Sequence, residues 1–206
     1  MVPAAPDPPK LLLVTDRHRA PARSFLEAVD RALDGGLPAV LFREKDLPDS
    51  EAEPFLRALR ESTRSRGALL YVAARPRLAT AVGADALHLP DGMAPPPDKE
   101  WSGPLTAAAH DAAGLERAHR MGAGSVLLGP LFPTRSHPGA EALGPEAFSA
   151  LAARSPLPVL AIGGITPENT DDALKAGAAG VACIDAILGA DDPAAAVKAF
   201  LEILDG

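Results

Sequence analysis

The stretch VLAIGGITPENTDDALKAGAAGVACI, residues 159–184, contains one complete unit of the fold. Two short apolar runs, 159–163 and 180–184, enclose a segment of helical period that ends at a Gly-Ala pair. Apolar runs of this length are typical of strands buried on both faces of a parallel sheet, and the helix between them is the crossover connection. The glycine after the helix permits the left-handed cap from which the chain turns into the next strand. The stretch therefore predicts a β-α-β unit.

The same alternation of apolar runs and helical segments continues outward through the chain. The apolar runs that we predict as strands are 11–15, 39–44, 69–73, 86–89, 105–109, 125–129, 159–163 and 180–184. Segments of helical period lie at about 22–33, 51–65, 76–82, 112–121, 145–153, 167–176 and 192–204. Eight strands joined in this way, with no linker among them, favour a closed (β/α)8 barrel, the TIM barrel of the α/β class, over a doubly wound open sheet. We expect a single barrel domain over residues 10–206, preceded by a loose Pro/Ala-rich tail at 1–9.

The composition is that of a folded, acidic domain. The 206 residues include 20 basic and 27 acidic side chains, a formal net charge of −7, and 47% of them are apolar. A negative chain without a Lys/Arg block is poorly suited to the phosphate backbone of nucleic acids. No apolar run approaches the roughly 20 residues that span a membrane, and MVPAAPDPPK lacks the order of a signal peptide. The sequence predicts a cytoplasmic protein that binds neither nucleic acid nor membrane.

Two predicted loops are longer than the rest. Residues 91–103, loop four below, follow the fourth strand, and residues 130–144, loop six below, follow the sixth. Long loops in a compact domain are commonly functional, and (β/α)8 barrels build their sites at the carboxyl ends of the strands. Because both loops begin at such an end, we expect the site there.

Two groups of residues at other strand ends are candidates for anion binding. Gly163-Gly164 follows the seventh strand, where glycines let backbone N–H groups approach a phosphate. Arg43 and Lys45 flank Glu44 at the end of the second strand. Two cations at a strand tip can hold an anionic substrate group while the carboxylate between them orients them, although a surface ion cluster has the same composition.

Loop six supplies a further set of polar side chains. Thr134, Arg135, Ser136 and His137 follow one another in it. Hydroxyls and a guanidinium can cover a phosphate, and an imidazole can act as acid or base near neutral pH. We therefore predict the first three as substrate-binding residues and His137 as the catalytic acid/base.

The remaining histidines are less decisive. His88 points away from its neighbours on the fourth strand, so it faces either the barrel interior, where it would contact a ligand, or the helices. His110 ends the fifth strand and can equally cap the following helix, whereas His18 and His119 are predicted at the surface. The strand ends show no cluster of Asp, Glu and His at metal-ligand spacing, so we predict no metal site.

Motifs along most of the chain carry a family resemblance. They are LLLVTD (11–16), LFREKDL (41–47), AVGADALHLP (81–90), GPLFPTRSHPG (129–139), VLAIGGITPEN (159–169) and AGAAGVACIDAI (176–187). In order and spacing they resemble the thiamine phosphate synthase/TenI family, over Leu11 to about Ala190. The resemblance implies a (β/α)8 barrel, usually a homodimer, that binds a phosphorylated thiazole in thiamine biosynthesis. Synthases of this family join a pyrimidine pyrophosphate to thiazole phosphate with Mg²⁺, whereas TenI-type members shift a proton on carboxythiazole phosphate without metal.

Some family positions are retained. Arg43 and Lys45 match the pair that grips pyrophosphate in synthases, and Gly163-Gly164 match the cradle for the thiazole phosphate. The resemblance extends that phosphate site to Ile184 and to the next position, where the family has a serine. This chain has Asp185 there. A carboxylate at that position repels a phosphate dianion unless it points away or pairs with a cation.

Other positions depart from the synthase pattern. The Asn-Asp pair after the third strand is Ala73-Ala74, and the GQxD motif becomes residues 90–93, so both metal carboxylates are missing although Asp91 lies nearby. Where the synthase pattern has a serine before the histidine of the fifth strand, this chain has Ala108. Where the pattern has a lysine in loop six, it has His137.

The best-known tautomerase pattern is also broken. The position that resembles its catalytic histidine, two residues after Leu128, is Pro130. His137 is then the nearest plausible base.

Three functions remain open. The preferred one is a TenI-type thiazole tautomerase that needs no cofactor. The alternatives are a divergent thiamine phosphate synthase, which would require Mg²⁺ and recruit Asp91 or substrate phosphates to hold it, and a non-catalytic relative that senses a metabolite of the pathway.

Overall fold

The eight predicted strands form one parallel sheet that closes on itself. The structure, a computed structural model, describes residues 7–20, 24–136, 139 and 141–206. Sequential strands are neighbours, and the first strand pairs with both the second and the eighth. In the closing pair, Leu12 lies opposite Ala182. The prediction of a closed (β/α)8 barrel is confirmed, and the open doubly wound sheet is excluded.

The element bounds agree closely with the sequence pattern. The strands are β1 (Leu11–Val14), β2 (Ala39–Phe42), β3 (Leu69–Ala73), β4 (Ala86–Leu89), β5 (Leu105–Ala109), β6 (Ser125–Leu128), β7 (Val159–Ile162) and β8 (Gly180–Cys183). The helices are α1 (Phe25–Asp34), α2 (Asp49–Ser65), α3 (Pro76–Val82), α4 (Ala112–Arg120), α5 (Gly144–Ala152), α6 (Pro167–Lys175), α7 (Asp185–Leu188) and α8 (Pro193–Leu204).

The hydrophobic core is continuous from the barrel interior to the helix layer. Every residue of β1, β2 and β4 is buried. The helices add their apolar faces, with Phe148 of α5 and Phe200 of α8 fully buried. Burial on both faces of the sheet explains why the strands appear in the sequence as unbroken apolar runs rather than as alternating ones.

Two short elements at the carboxyl end of the barrel were not predicted. A single 3-10 turn, Arg17–Arg19, follows β1, and its cap Asp16 accepts a hydrogen bond from the backbone N–H of His18 at 3.1 Å. The second is α7, which follows β8 directly. Elements of three or four residues carry no measurable periodicity, so the sequence pattern does not indicate them.

The predicted tail falls mostly outside the described residues. Residues 1–6 are not described, but Pro9 is buried. The carbonyl oxygen of Lys10 accepts a hydrogen bond from the N–H of Val181 at 2.8 Å. A Cβ at Gly180 would lie 2.8 Å from the carbonyl oxygen of Pro9, so this part of the chain packs tightly against β8. Pro9 and Lys10 therefore pack against β8, next to the predicted boundary.

In the described part of the chain, no helix combines the length and the apolar character that crossing a membrane requires.

Candidate active site

A large cavity opens at the carboxyl ends of the strands. Its volume is about 1240 Å³, above the roughly 300–1,000 Å³ that is usual for small-molecule sites. The predicted binding residues that line it are Arg43, Lys45, His88, Thr134, Arg135, Ser136, Gly163, Gly164, Ile184 and Asp185. His137, the predicted acid/base, lies outside the described residues. The structure thus brings the described candidates from five strands, β2, β4, β6, β7 and β8, to one place.

The end of β2 forms a cationic wall of the cavity. Burial lowers the pKa of Arg43, and the charges of Asp16 and Glu44 offset part of this effect. The pKa of Lys45 is lowered too, first by burial and then by the charge of Arg43. The backbone N–H of Arg43 donates to Thr15 Oγ1 at 2.9 Å, which ties this segment to the end of β1. Two cations this close to each other favour an anion between them, because it relieves their mutual repulsion.

Glu44 does not orient the two cations as predicted. Its carboxylate is buried and accepts hydrogen bonds from the backbone N–H of Arg17 at 3.1 and 3.2 Å. The Nη1 of the same arginine donates to Glu44 Oε2 at 3.2 Å, while its guanidinium also grips Asp46 with two contacts of 2.6 Å. A buried carboxylate needs hydrogen-bond donors, and Arg17 in the segment after β1 supplies two, its backbone N–H and its Nη1, which make three hydrogen bonds. Glu44 fastens the ends of β1 and β2 together.

Arg75 holds the backbone of the cationic wall in place through hydrogen bonds. It follows β3 and the Ala73-Ala74 pair, and its Nη2 donates to the carbonyl oxygens of Glu44 at 2.8 Å and Leu47 at 2.5 Å. Its Nη1 pairs with Asp49 at the start of α2. Guanidinium groups present several N–H donors in a fixed plane, so a single side chain can hold both carbonyls. Arg75 therefore fixes the backbone on either side of Lys45.

The glycine turn, Gly163-Gly164, packs against loop six without space for side chains. Both residues have positive φ, 98° and 65°. A Cβ on Gly163 would lie 2.5 Å from Pro130 Cβ, and one on Gly164 would lie 2.5 Å from the carbonyl oxygen of Pro133. The N–H of Phe132 donates to the carbonyl oxygen of Gly163 at 3.0 Å. Glycine is required here both by backbone conformation and by close approach.

The turn also offers backbone donors. Neither the N–H of Gly163 nor that of Gly164 donates to an acceptor within the described ranges. The carbonyl oxygen of Gly164 accepts a hydrogen bond from Asn169 Nδ2 of α6 at 2.9 Å, which holds the peptide between Gly164 and Ile165. Consecutive backbone amides near φ > 0 form a concave anion-binding surface, the arrangement expected for a phosphate cradle.

Asp185 has a cationic partner. Its Oδ1 lies 3.5 Å from the Nε of Arg19, which also donates to Asp16 Oδ2 at 3.3 Å. The charge that would repel a phosphate beside the glycine turn is therefore countered by an arginine from the 3-10 turn after β1. The sequence pattern gives no indication of this pair, because it exists only after the barrel closes between β1 and β8.

His88 faces the barrel interior. It is buried, lines the cavity, and its Nδ1 lies 3.0 Å from Thr106 Oγ1 on the neighbouring strand β5. Burial, and then the charge of Arg43, lowers its pKa to about 3. The ring is neutral at physiological pH, so His88 can exchange hydrogen bonds with a ligand but cannot supply a positive charge.

His110 is a cavity residue that the sequence left undecided. Its Nδ1 lies 2.6 Å from the carbonyl oxygen of Gly129, the residue immediately before loop six. A carbonyl oxygen only accepts, so Nδ1 carries the proton and Nε2 is the ring nitrogen left for a ligand. The following helix is capped instead by Asp111, whose Oδ1 accepts from the N–H of Gly114 at 2.7 Å. His18, predicted at the surface, also borders the cavity, where Nε2 lies 3.3 Å from Asp46 Oδ2.

The donor set does not fit a magnesium ion at the ends of β3 and β4. Asp91 is the cavity carboxylate in that region of the described chain, and its Oδ1 is held by Arg117 Nη2 at 2.6 Å. The preceding strand ends in Ala73-Ala74, whose side chains carry no oxygen. Across the described ranges, no three His, Cys, Asp or Glu side chains come together as a metal site would require. Mg²⁺ needs carboxylate oxygens with room for water, and a carboxylate bound to an arginine is a poor ligand.

Comparisons with known proteins agree with this geometry. The family model described as thiamine monophosphate synthase matches residues 11–187. A putative thiamine-phosphate synthase of Geobacter sulfurreducens is 39% identical over 94% of this chain and 93% of its own. The thiamine-phosphate synthase of Pyrococcus furiosus is 34% identical over 95% of both chains. A solved structure named thiamine phosphate pyrophosphorylase, also from Pyrococcus furiosus, superimposes with a TM-score of 0.84 at 32% identity over 95% of both chains.

The level of identity and the coverage confirm the predicted resemblance and the prediction of an enzyme. The chain, a closed barrel matched over residues 11–187, therefore belongs to the thiamine monophosphate synthase family of thiamine biosynthesis.

Proposed function

We propose that this enzyme binds a thiazole phosphate in the cavity and moves a proton on it without Mg²⁺, as a thiazole tautomerase of the TenI type. The observation that carries the proposal is the hydrogen bond from His110 Nδ1 to the Gly129 carbonyl oxygen, 2.6 Å long, on the wall of a cavity that the cations after β2 and the glycine turn also line. It fixes an imidazole in the form that accepts a proton at Nε2.

The cations after β2 and the glycine turn suit a ligand with two separated negative groups. Arg43 and Lys45 follow β2, and the glycine turn follows β7, three strand steps away around the closed sheet. Carboxythiazole phosphate carries a carboxylate and a phosphate on one small molecule. In our proposal the backbone amides of the glycine turn hold the phosphate, with Ile184 and Asp185 beside it, and the cations of β2 hold the carboxylate.

Besides binding the substrate, a tautomerisation requires only groups that take up and return a proton. One group takes a proton from the bound molecule, and the same or another group returns a proton at a second position, so no atom is gained or lost. An imidazole is suited to both steps near neutral pH. His110 is the candidate that the described geometry supports, and His137 of loop six remains a candidate from the sequence alone.

The synthase reaction places a different demand on the site. Departure of pyrophosphate concentrates negative charge on the leaving oxygens, and metal ions are a usual means of stabilising it. Ala73-Ala74 offers no ligand, and Asp91 is held by Arg117. The missing donors therefore favour the metal-free reaction.

A divergent thiamine phosphate synthase is the second candidate. The names of the relatives at 34% and 39% identity favour it, as does the presence of both Arg43 and Lys45. In that case Asp91 would have to leave Arg117 when the substrates bind.

One pair of assays separates the two candidates. The purified chain is incubated with the substrate tautomer of carboxythiazole phosphate in EDTA, and separately with pyrimidine pyrophosphate, thiazole phosphate and Mg²⁺. We expect isomerisation in EDTA, followed by NMR, and no thiamine phosphate on chromatography. Thiamine phosphate formation at the rate of a known synthase, and its loss in EDTA, would establish the second candidate instead.

The predicted homodimer and the predicted cytoplasmic location remain predictions. Light scattering coupled to size-exclusion chromatography tests the first, with a mass of twice 21.2 kDa as the expected result.

A further inference from the structure

Arg19 lies where three segments around the cavity meet. Its Nε donates to Asp16 at the end of β1 at 3.3 Å and lies 3.5 Å from Asp185 at the start of α7. Its Nη2 donates to the carbonyl oxygen of Arg135 in loop six at 3.4 Å. The side chain is 32% exposed and lines the cavity. A single guanidinium thus contacts the 3-10 turn's own cap, the segment after β8 and loop six.

The neighbouring arginine of the same turn is held very differently. Arg17 makes two contacts of 2.6 Å to the carboxylate of Asp46. The contacts of Arg19 are all 3.3 Å or longer and are divided among three acceptors. Short, paired hydrogen bonds to a single carboxylate are the strong arrangement, so Arg17 is committed to its partner while Arg19 is not. Arg19 is the one able to turn towards an incoming anion.

The negative charge of Asp185 opposes the binding of such an anion, and Arg19 is the cation beside it. The carboxylate borders the cavity beyond β8, the strand next to the one that carries the glycine turn. A phosphate dianion bound at the turn meets a like charge there, which weakens binding unless a cation is shared between the two groups. A guanidinium has five N–H donors and can bridge two anions at once.

We infer that Arg19 is a phosphate-binding residue of this site, whose guanidinium neutralises Asp185 and bridges it to the phosphate of the bound thiazole. The inference rests on the proposed function. It makes the Arg19-Asp185 pair a determinant of selectivity for phosphorylated over unphosphorylated thiazoles, and it couples phosphate binding to loop six through the Arg135 carbonyl.

The test is a titration of three ligands against four proteins. The ligands are thiazole phosphate, the thiazole alcohol that lacks the phosphate, and inorganic phosphate. The proteins besides the natural chain are Arg19→Gln, Arg19→Gln with Asp185→Ser, and the control Arg31→Gln. Arg31 lies on α1, 53% exposed, and its ion pair with Glu27 is 3.6 Å long. Calorimetry gives the dissociation constant in each case.

We expect Arg19→Gln to weaken thiazole phosphate binding about tenfold or more, the range of a charge-assisted hydrogen bond. Binding of the alcohol should change less than about twofold. The added Asp185→Ser should recover part of the loss, because the unpaired carboxylate is what repels the phosphate. The control should bind all three ligands like the natural chain.

Equal effects of Arg19→Gln on the phosphate and on the alcohol would overturn the inference, since they would mark a structural role. The absence of any effect would overturn it as well. Inorganic phosphate separates this failure from that of the proposed function. If the natural chain binds inorganic phosphate but not thiazole phosphate, the proposed function fails, while weaker phosphate binding by Arg19→Gln still supports the inference.

Discussion

The imidazole of His110 donates from Nδ1 to the carbonyl oxygen of Gly129 over 2.6 Å. This hydrogen bond joins the end of β5 to the residue immediately before Pro130, where loop six begins. By the family resemblance, Pro130 occupies the position of the catalytic histidine of the best-known tautomerases. Proline has no group that transfers protons. The end of the neighbouring strand β5 thus places the imidazole of His110 close to a position where the expected imidazole is missing.

Replacing His110 with glutamine should abolish most of the turnover while preserving binding. Glutamine retains a donor for the Gly129 carbonyl but cannot transfer a proton near neutral pH. General acid-base groups typically contribute 10²–10⁴-fold, so we expect kcat to fall about 100-fold or more and the dissociation constant of thiazole phosphate to change less than about threefold. NMR of the tautomerisation and calorimetry of binding check the two parts. A variant that turns over normally would remove His110 from the mechanism.

His137→Ala tests the candidate that came from the sequence alone. If His137 is the acid/base, turnover falls in this variant and persists in His110→Gln. If the two histidines act as the base and the acid of one reaction, each single replacement lowers kcat and the double replacement lowers it little further, because both groups serve the same step. Side-by-side kinetics of the three variants decide among these arrangements. We expect the larger loss in His110→Gln, since its hydrogen bond to Gly129 already sets the tautomer.

The strands and the general position of the site could be predicted because their signals are local. Fully buried strands appear as apolar runs, and the glycine turn is a short motif at a known strand end. The partners of Glu44 and Asp185 could not be predicted in this way. Arg17 and Arg19 reach them only because β1 lies between β2 and β8 in the closed sheet.

The histidines show the same limit on a smaller scale. Strand alternation showed only that His88 points away from its neighbours on β4. Whether it faces the barrel interior or the helices depended on how the sheet closes. His110 lies one residue beyond β5, where alternation no longer applies, so its direction depended on the Gly129 carbonyl of the neighbouring strand end.

Alanine at Gly163 should destabilise the fold more than the positive φ alone explains, and it should also weaken phosphate binding at the glycine turn. The matched control is Gly83→Ala, because Gly83 has φ 63° after α3 and nothing lies within 4 Å of a Cβ there. A non-glycine residue in the left-handed region costs about 1–2 kcal/mol, which both variants share. At Gly163 the added Cβ also meets Pro130 Cβ at 2.5 Å. We expect thermal unfolding to show the greater destabilisation in Gly163→Ala, and only that variant to lose affinity for thiazole phosphate. Equal affinities in the two variants would contradict a phosphate cradle at this turn.

His88 should make folding stability depend on acid pH. Its folded pKa of about 3 lies below the ordinary value of 6.5, so between these values the unfolded chain binds a proton that the folded chain does not. The stability contributed by the neutral ring is fully present above pH 6.5 and is lost as the pH falls towards 3, by up to about 1.4 kcal/mol per pH unit. Urea unfolding of the natural chain and of His88→Gln from pH 7 to pH 4 measures the difference. The variant should show the shallower dependence, and parallel curves would mean that His88 titrates alike in both states.

Arg75→Gln should weaken anion binding at the cationic wall without removing any cation from it. Arg75 donates to the carbonyl oxygens of Glu44 and Leu47 at 2.8 and 2.5 Å, and its loss frees the backbone on either side of Lys45. The control is Arg77→Gln, since Arg77 is 80% exposed and pairs with Glu100 at 2.8 Å on the outer side of α3. Loss of these hydrogen bonds from a charged group costs about 1.5–3 kcal/mol each, so part of the effect will appear in stability. Because the wall holds the carboxylate in our proposal, affinity for carboxythiazole phosphate should fall several-fold in Arg75→Gln, while affinity for thiazole phosphate, which lacks that group, should remain within about twofold. Equal losses for both ligands would mean that Arg75 supports the barrel as a whole and not the position of Arg43 and Lys45.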